Sequence, residues 1–338
     1  MDRTAETALD TATMRAVHHG RYGAPAVLTV VDRARPTPRA GEVLVRVCAA
    51  AISIGDHHVV TGKPYIVRVS PFGGLPNPRH VVPGQSLAGV VVAVGADVTS
   101  LRVGDAVFGE CGTGAWAQYA TASATLLVHK PANISFDDAA AIPWAATALQ
   151  ALRDAGAVQP GQRVLINGAS GGVGTWAVQI ARALGASVTA VCSARHVELV
   201  RGLGADEVID YRVSDVVDGG ARFDVIIDLV GNRSFADGKR LLKDTGIFVA
   251  CSGDGSDWVG PIVQMAMGVA SFAFAQQRYR ALIMTPKRDD LVWLADLVER
   301  GGARPVIEHR FALSDIAAAL THVGSGHAQG QSVLHLAD

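Results

Sequence analysis

The segment 162–192 constrains the fold of this chain more than any other. It reads QRVLINGASGGVGTWAVQIARALGASVTAVC: an apolar run, a glycine-rich turn, an amphipathic stretch and a second apolar run. Apolar side chains repeat at three- and four-residue steps along the amphipathic stretch, which predicts a helix with one face packed on a sheet. The order strand, helix, strand predicts two parallel strands, and the same alternation continues through GIFVACS (246–252). The apolar face contains Val173, Trp176, Ala177, Ile180, Ala181 and Leu184.

The glycine-rich turn carries the main chemical signal. Glycine permits a tight turn and lets the backbone approach a phosphate, while free N–H groups and the helix dipole at the helix start attract negative charge. Between a strand and a helix, such a turn predicts a dinucleotide-binding site; a purely structural glycine turn is the alternative. The residues predicted to contact the cofactor here are Gly168, Ser170, Gly171, Gly172, Val173 and Gly174.

The end of the second strand indicates which dinucleotide binds. An NAD site places an Asp or Glu about 20 residues after the turn, against the ribose 2′-hydroxyl. This chain has no acid at 191–196; Ser193 offers a hydrogen bond, and Arg195, followed by His196, offers charge to a 2′-phosphate. We therefore predict NADPH as the cofactor. The alternative is that Arg195 is a solvated cation at a helix start.

Length and local composition predict two domains around this unit. A chain of 338 residues is too long for one typical core. Residues 14–133 form short apolar runs separated by Gly, Pro and Asp, which is typical of a mostly β domain. Residues 134–303 alternate strand and helix, and we expect the tail 304–338 to rejoin the first domain. Residues 1–13 are expected to be a flexible extension.

Composition and charge narrow the classes of partner. A net charge of −1 gives no general attraction to nucleic acid or to an anionic membrane. The four cysteines are far apart and the front of the chain lacks a signal-peptide pattern, so a cytoplasmic location is expected. Within the apolar segment 258–284, residues 258–277 carry no charge and have the length of a membrane span, but their polar residues favour a buried or interface helix over membrane contact.

Four stretches of the chain match a known family pattern. They are MRAVHHGRYGAPAVL at the front, PGQSLAGVVVAVGADVTSLRVGDAVFG in the first domain, AAAIPWAATALQAL at the junction, and NGASGGVG with LGADEVIDY in the second. In them the chain resembles the medium-chain dehydrogenase/reductase superfamily, and DLVGNRSF and GGARPVIEHRFALSDIAAAL resemble its quinone oxidoreductase-like branch. The resemblance implies an α/β fold: a GroES-like, mostly β substrate domain beside a Rossmann domain with a doubly wound parallel sheet. It also implies an active site in the cleft between them, and a homodimer.

The resemblance bears on metal use as well. Zinc-dependent alcohol dehydrogenases of this superfamily use a Cys, a His-Glu pair and a second Cys or Asp; the matching positions here are Ser53, Gln85 with Ser86, and Pro143. None is a good zinc ligand, so no metal is expected. The resemblance then implies zinc-independent hydride transfer from NADPH to a small electrophile, a quinone or an activated, α,β-unsaturated carbonyl. The alternatives are an NADP-linked reductase of a ketone or natural-product intermediate, and an NADPH-binding sensor or adaptor without turnover.

The stretch SIGDHHVVTGKPYIVR lies where the family places groups near the substrate and the nicotinamide. A histidine or tyrosine of suitable pKa could protonate an enolate, and Asp56 could orient it. The alternative is that Asp56 caps a short helix and the histidines are exposed loop residues. The candidate catalytic residues are therefore Ser53, Asp56, His57, His58 and Tyr65.

Family positions imply further cofactor contacts. Tyr211 matches a tyrosine that lies along the adenosine phosphate, and Thr147 matches a position near the nicotinamide. Asn232 and Gly253 end the next two predicted strands on the cleft side, where ligands of such sheets bind.

Two features concern the acceptor side. Relatives often carry Gly-Lys before the last strand, where this chain has Gly330-Gln331, so a cationic contact to cofactor or substrate is expected to be absent. The acceptor pocket is expected between the loop 63–82 and the segment 258–284. Their aromatic and methionine side chains fit an aromatic or polycyclic substrate or, equally, core packing.

Overall fold

The computed structural model describes residues 13–251, 258, 260–326 and 328–336. The front part and the tail form one mostly β unit, and the segment between them forms an α/β unit. The strands are β1 (Thr13–His18), β2 (Thr29–Ala34), β3 (Glu42–Ile52), β4 (Ser86–Val94), β5 (Ala106–Glu110), β6 (Tyr119–Ser123), β7 (Leu127–His129), β8 (Arg163–Asn167), β9 (Ser187–Cys192), β10 (Glu207–Asp210), β11 (Phe223–Asp228), β12 (Leu242–Ala250), β13 (Arg278–Ala281), β14 (Ile307–Ala312) and β15 (Gln331–His335). The α-helices are α1 (Ile54–Thr61), α2 (Phe136–Ala141), α3 (Ala145–Leu149), α4 (Gly172–Ala183), α5 (Val197–Gly202), α6 (Phe235–Leu241), α7 (Gly260–Phe272), α8 (Arg288–Glu299) and α9 (Ile316–Gly324).

The α/β unit is built around the predicted strand–helix–strand segment, which forms β8, α4 and β9. The apolar face of α4 is buried, including Trp176 and Ile180, because it packs against the sheet. The strand order is β10-β9-β8-β11-β12-β13 with parallel neighbours throughout. The order reverses between β8 and β11, so the carboxyl ends of these two strands border a crevice. The predicted doubly wound sheet is confirmed.

The mostly β unit is centred on β3, and the tail of the chain completes it. Its sheet has the order β14-β15-β3-β4-β5-β7, with β6 also paired to β3, while β1 and β2 form a separate hairpin. β15 runs antiparallel to β3, with Ser332 opposite Ile52. Val45, Leu87 and Trp116 are buried in its core. The exact domain limits at residues 133/134 and 303/304 stay predictions.

The segment 258–284 includes a helix within 258–277, where composition predicts a buried or interface helix, and then a strand that the composition does not predict. It contains α7 and then β13, which extends the parallel sheet beyond β12. Tyr279 of β13 is buried while Arg278 and Arg280 are exposed. A strand of this length shows too little alternation of apolar and polar residues to be distinguished from a neighbouring helix by sequence pattern. Its place in the sheet is set instead by pairing with β12. Among the described residues, no helix is long and apolar enough to cross a membrane.

Candidate active site

The glycine-rich turn has the geometry of a phosphate cradle. α4 begins at Gly172, and no side chain caps its N-terminus, so the first backbone N–H groups are available to an anion. Gly168 has a φ of +89°, a backbone conformation that favours glycine. A Cβ on Gly174 would lie 2.1 Å from the carbonyl oxygen of Gly168, so any larger residue would force the turn open. These residues fit a bound dinucleotide pyrophosphate.

A polar network lies at the carboxyl ends of β8 and β11, beside this turn. The Asn167 side-chain amide donates hydrogen bonds to Asp228 Oδ1 at 2.8 Å and to Asn232 Oδ1 at 3.0 Å. The same Asp228 oxygen accepts from the backbone N–H groups of Val230 and Gly231. The network therefore orients Asn232 at the crevice where the sequence placed it. Gly253, predicted for the next strand end, lies outside the described residues.

The ends of β9 and β10 bring together the residues predicted at the adenosine side. Ser193 is buried, Arg195 is exposed, and the Nδ1 atom of His196 lies 3.4 Å from Ser193 Oγ. Burial, followed by the nearby Arg195 charge, lowers the pKa of His196. Tyr211 follows β10, is exposed, and donates its backbone N–H to the carbonyl of Cys192. Arg195 and Tyr211 are therefore accessible at neighbouring strand ends.

The tail of the chain closes one side of the phosphate turn. Gly330 forms an isolated parallel bridge with Gly171, and its N–H donates to the Ser170 carbonyl at 2.8 Å. The buried Gln331 side chain accepts a hydrogen bond from Trp176 Nε1 of α4 at 3.0 Å. Where relatives often carry a lysine, this chain thus has an amide that fastens the last strand of the mostly β unit to the helix of the phosphate turn.

The first candidate catalytic residues form a helix cap. Ser53 is the N-cap of α1, and Asp56 Oδ2 accepts from the Ser53 backbone N–H at 2.9 Å and from its hydroxyl at 2.8 Å. Gln85 also donates to the Asp56 carboxylate. Burial raises the pKa of Asp56 to about 6, although these hydrogen bonds oppose the shift. The capping arrangement that the sequence analysis kept as an alternative is present, and a catalytic role for Ser53 or Asp56 stays a prediction.

The other candidates on this stretch make local contacts. The His57 ring lies against Gly324 of α9, and His58 Nδ1 lies 2.8 Å from the Lys63 carbonyl oxygen. Burial lowers the pKa of both histidines. The Tyr65 ring makes an edge contact with Trp258, with ring centroids 4.9 Å apart. The loop 63–82 and the segment 258–284 therefore meet at Tyr65 and Trp258, and an acceptor pocket between them stays a prediction.

A small cavity lies where the two units meet. Trp144, in a short 3-10 turn at the junction, donates from Nε1 to the buried Ser86 hydroxyl at 3.1 Å. Thr147 lies in the next helix, α3, and is half-buried. The residues that line the cavity are Gln85, Ser86, Glu110, Pro143, Trp144 and Met284.

Glu110 is the cavity residue that sequence reasoning missed. It ends β5 and is 7% exposed, and burial raises the pKa of its carboxyl to about 7. The neighbouring Cys111 thiol has its pKa raised to about 12, first by burial and then by the charge of Glu110, so it stays protonated. An acid at the end of the apolar run AVFGE was the available signal in the sequence.

Comparison with known proteins agrees with this geometry. Residues 39–132 match the alcohol dehydrogenase GroES-like domain, and residues 203–334 match a family described as zinc-binding dehydrogenase. The chain is 32% identical over 337 residues to the chloroplastic quinone-oxidoreductase QR1 of Triphysaria versicolor, covering 95% of this chain and 98% of that protein. The chain belongs to the medium-chain dehydrogenase/reductase superfamily. The predicted family, its quinone oxidoreductase-like branch and an oxidoreductase enzyme are thereby confirmed.

Two other members of the superfamily are informative. The 2-methylene-furan-3-one reductase of Solanum lycopersicum is 32% identical over 337 residues, covering 95% of this chain and 79% of that protein. The structure of Escherichia coli quinone oxidoreductase complexed with NADPH superimposes with a TM-score of 0.81 at 25% identity, covering 96% of this chain and 100% of that one.

The positions that bind the catalytic zinc in alcohol dehydrogenases of this superfamily lie close together in this chain, but they carry other residue types. Gln85, Ser86 and Pro143 line the cavity, and Ser53 joins them through Asp56, which both Ser53 and Gln85 contact. Two hydroxyls, an amide and a proline do not make a zinc donor set. Within the described ranges, no trio of His, Cys, Asp or Glu ligand atoms close enough to share a metal lies at this cavity.

Proposed function

We propose that this protein is an NADPH-dependent reductase that delivers hydride to a quinone or an α,β-unsaturated carbonyl without a catalytic zinc. The observation that carries the proposal is that a chain with a dinucleotide cradle has no zinc donor set at the superfamily's zinc positions, while a buried acid, Glu110, lines the same small cavity as three of them. The names of the relatives support the acceptor class, since one is a quinone oxidoreductase and another reduces a methylene-furanone.

The residues at the crevice account for the cofactor. The start of α4 would hold the pyrophosphate, and Ser193 and Arg195 would bind the 2′-phosphate through a hydrogen bond and a charge. The NADPH complex of the Escherichia coli relative supports this choice. When bound, the reduced nicotinamide supplies a hydride.

The cavity residues account for the rest of the reaction. Negative charge builds on the acceptor oxygen as hydride arrives at carbon, and a hydrogen-bond donor must meet it. The Ser86 hydroxyl, fixed by Trp144, faces this cavity. Glu110, whose pKa is raised to about 7, is partly protonated at neutral pH and can release a proton to that oxygen and recover it from water. The cavity has a volume of about 10 Å³, room for about one water molecule, so an acceptor can reach Ser86 and Glu110 only if the surrounding side chains move.

A homodimer and a cytoplasmic location belong to the same proposal. β13 ends the parallel sheet in the described part of the chain, which leaves a strand edge for a second copy. Met267 and Val269 of α7, close by in sequence, are exposed apolar side chains. The chloroplastic relative makes an organelle the alternative location.

The test is NADPH oxidation by EDTA-treated protein with quinones, enones, ketones and aldehydes, with NADH in parallel. Turnover of quinones or enones with NADPH preferred is the expected result. Turnover confined to ketones would transfer the assignment to the alternative reductase. Tight NADPH binding with no turnover would favour the sensor or adaptor.

A further inference from the structure

A second group of chemically active side chains lies on β14 and α9, away from the cavity residues. Glu308 and His309 are on β14, and His322 is in the last turn of α9. His322 Nε2 lies 2.8 Å from one carboxylate oxygen of Glu308, and His309 Nε2 lies 3.8 Å from the other. The ligand atoms of the three residues all lie within 4.8 Å of one another. Three side chains from two elements therefore converge on one point.

A β-bulge makes this convergence possible. Consecutive strand residues normally point to opposite faces of a sheet. In the pairing with β15, Ile307 is opposite Gln331 and His309 is opposite Ser332, so Glu308 is an extra residue. Such a bulge redirects side chains and is common beside functional sites. Here it brings Glu308 and His309 to the same side, facing His322.

The carboxylate is fixed in place by the backbone. The Gln329 N–H donates to the Glu308 oxygen nearer His322 at 2.8 Å. A hydrogen bond to a ligating carboxylate is the usual support of a metal ligand. The His309 and His322 rings are nearly perpendicular, with centroids 4.7 Å apart, and His309 is exposed, so solvent reaches the group.

The ligand set selects a class of ion. Two imidazoles and one carboxylate suit zinc and similar transition metals, whereas magnesium and calcium prefer oxygen ligands alone. With bonds of about 2.1 Å, two ligand atoms on a tetrahedral zinc lie about 3.4 Å apart. The separations from Glu308, 2.8 Å to His322 and 3.8 Å to His309, lie on either side of that value, so a bound zinc would require the three side chains to adjust and water to supply the fourth ligand.

We propose that Glu308, His309 and His322 form a binding site for a zinc-class transition-metal ion, distinct from the cavity. The ion would join β14 to α9 within the mostly β unit. Gln329, which donates to Glu308, directly precedes Gly330, whose N–H donates to the Ser170 carbonyl. The site therefore also supports the segment that closes the phosphate turn.

The experiment titrates ZnCl2 into EDTA-treated, tag-free, full-length protein at neutral pH by isothermal titration calorimetry. The wild type should bind one Zn²⁺ per chain. His309→Gln and His322→Gln should each weaken binding at least tenfold, the lower end of what losing even a supporting group costs. His129→Gln, at an exposed histidine on β7, is the matched control and should bind as wild type.

A second measurement on the wild type covers the case in which a variant folds poorly. Carbethoxylation of histidines, followed by peptide mass spectrometry, should show Zn²⁺ protecting His309 and His322 while His129 reacts equally with and without metal. Equal Zn²⁺ affinity in the wild type and both ligand variants, or no protection of His309 and His322, would overturn the site and leave Glu308–His322 as an ordinary ion pair.

Discussion

Glu110 provides a quantitative test of the burial argument. The folded protein raises the pKa of this carboxyl from 4.5 to about 7, so the native state binds the proton more tightly than the unfolded chain. The contribution to stability is then complete below about pH 4.5 and is lost as pH rises toward about 7. At about 1.4 kcal/mol per pH unit, the loss is about 3 kcal/mol, a large share of a typical domain's free energy of unfolding.

Glu110→Gln should remove this loss, because a glutamine cannot ionise. Below about pH 4.5, the difference in unfolding free energy between the variant and the wild type should not change with pH. By pH 7 to 8, the variant should have gained about 3 kcal/mol relative to the wild type. The assay is urea unfolding at a series of pH values, followed by tryptophan fluorescence and extrapolated to water.

The matched control is Glu299→Gln, because Glu299 is exposed at the end of α8. Its unfolding free energy should follow the wild-type curve. If the difference between Glu110→Gln and the wild type stays constant from acid to neutral pH, the carboxyl is not destabilised by burial and the reasoning about the cavity fails.

Three further predictions follow from the site. Glu110→Gln should lower kcat by about 10²- to 10⁴-fold and abolish the fall in kcat above about pH 7, if it is the proton donor; a retained rate and pH profile would exclude that role. Arg195→Ala should raise KM for NADPH by about tenfold to a hundredfold and leave KM for NADH unchanged. The control Arg240→Ala, at an exposed arginine, should change neither KM. Equal effects of Arg195→Ala on both cofactors would contradict a 2′-phosphate contact. Gly174→Ala should weaken NADPH binding at least tenfold in a fluorescence titration, because the added Cβ would meet the Gly168 carbonyl oxygen. Gly202→Ala is the control, since a Cβ added at Gly202 would have no neighbouring atom outside its own stretch of helix within 4 Å. Unchanged affinity in Gly174→Ala would show that the turn is not the phosphate site.

Several features were predictable because their causes lie close together in the chain. The apolar period of α4 and the glycines before it are local, and they predicted the strand–helix–strand unit and its phosphate turn. The capping role of Asp56, kept as an alternative, depends on Ser53 only three residues away. The tail was expected to rejoin the first domain, and the pairing of β15 with β3 agrees with that expectation.

Other features depend on residues that meet only in the folded chain. Glu110 is an ordinary acid in the sequence, and its altered pKa arises because Pro143, Trp144 and Met284 enclose it from another unit. Gln331 was read as a missing lysine, yet its side chain holds Trp176, 155 residues away in sequence. The desolvation energy of a carboxyl group depends on the atoms that surround it in the folded chain, so no local sequence pattern can report it.

By itself the sequence determined the family, the parallel sheet and the position of the nucleotide turn, because periodicity and glycine geometry act over a few residues. Tertiary structure alone decided which acid is buried at the cavity, that β13 extends the sheet, and that a bulge turns Glu308 toward His322. Those outcomes are set by strand pairing and by burial, which bring together side chains from distant parts of the chain.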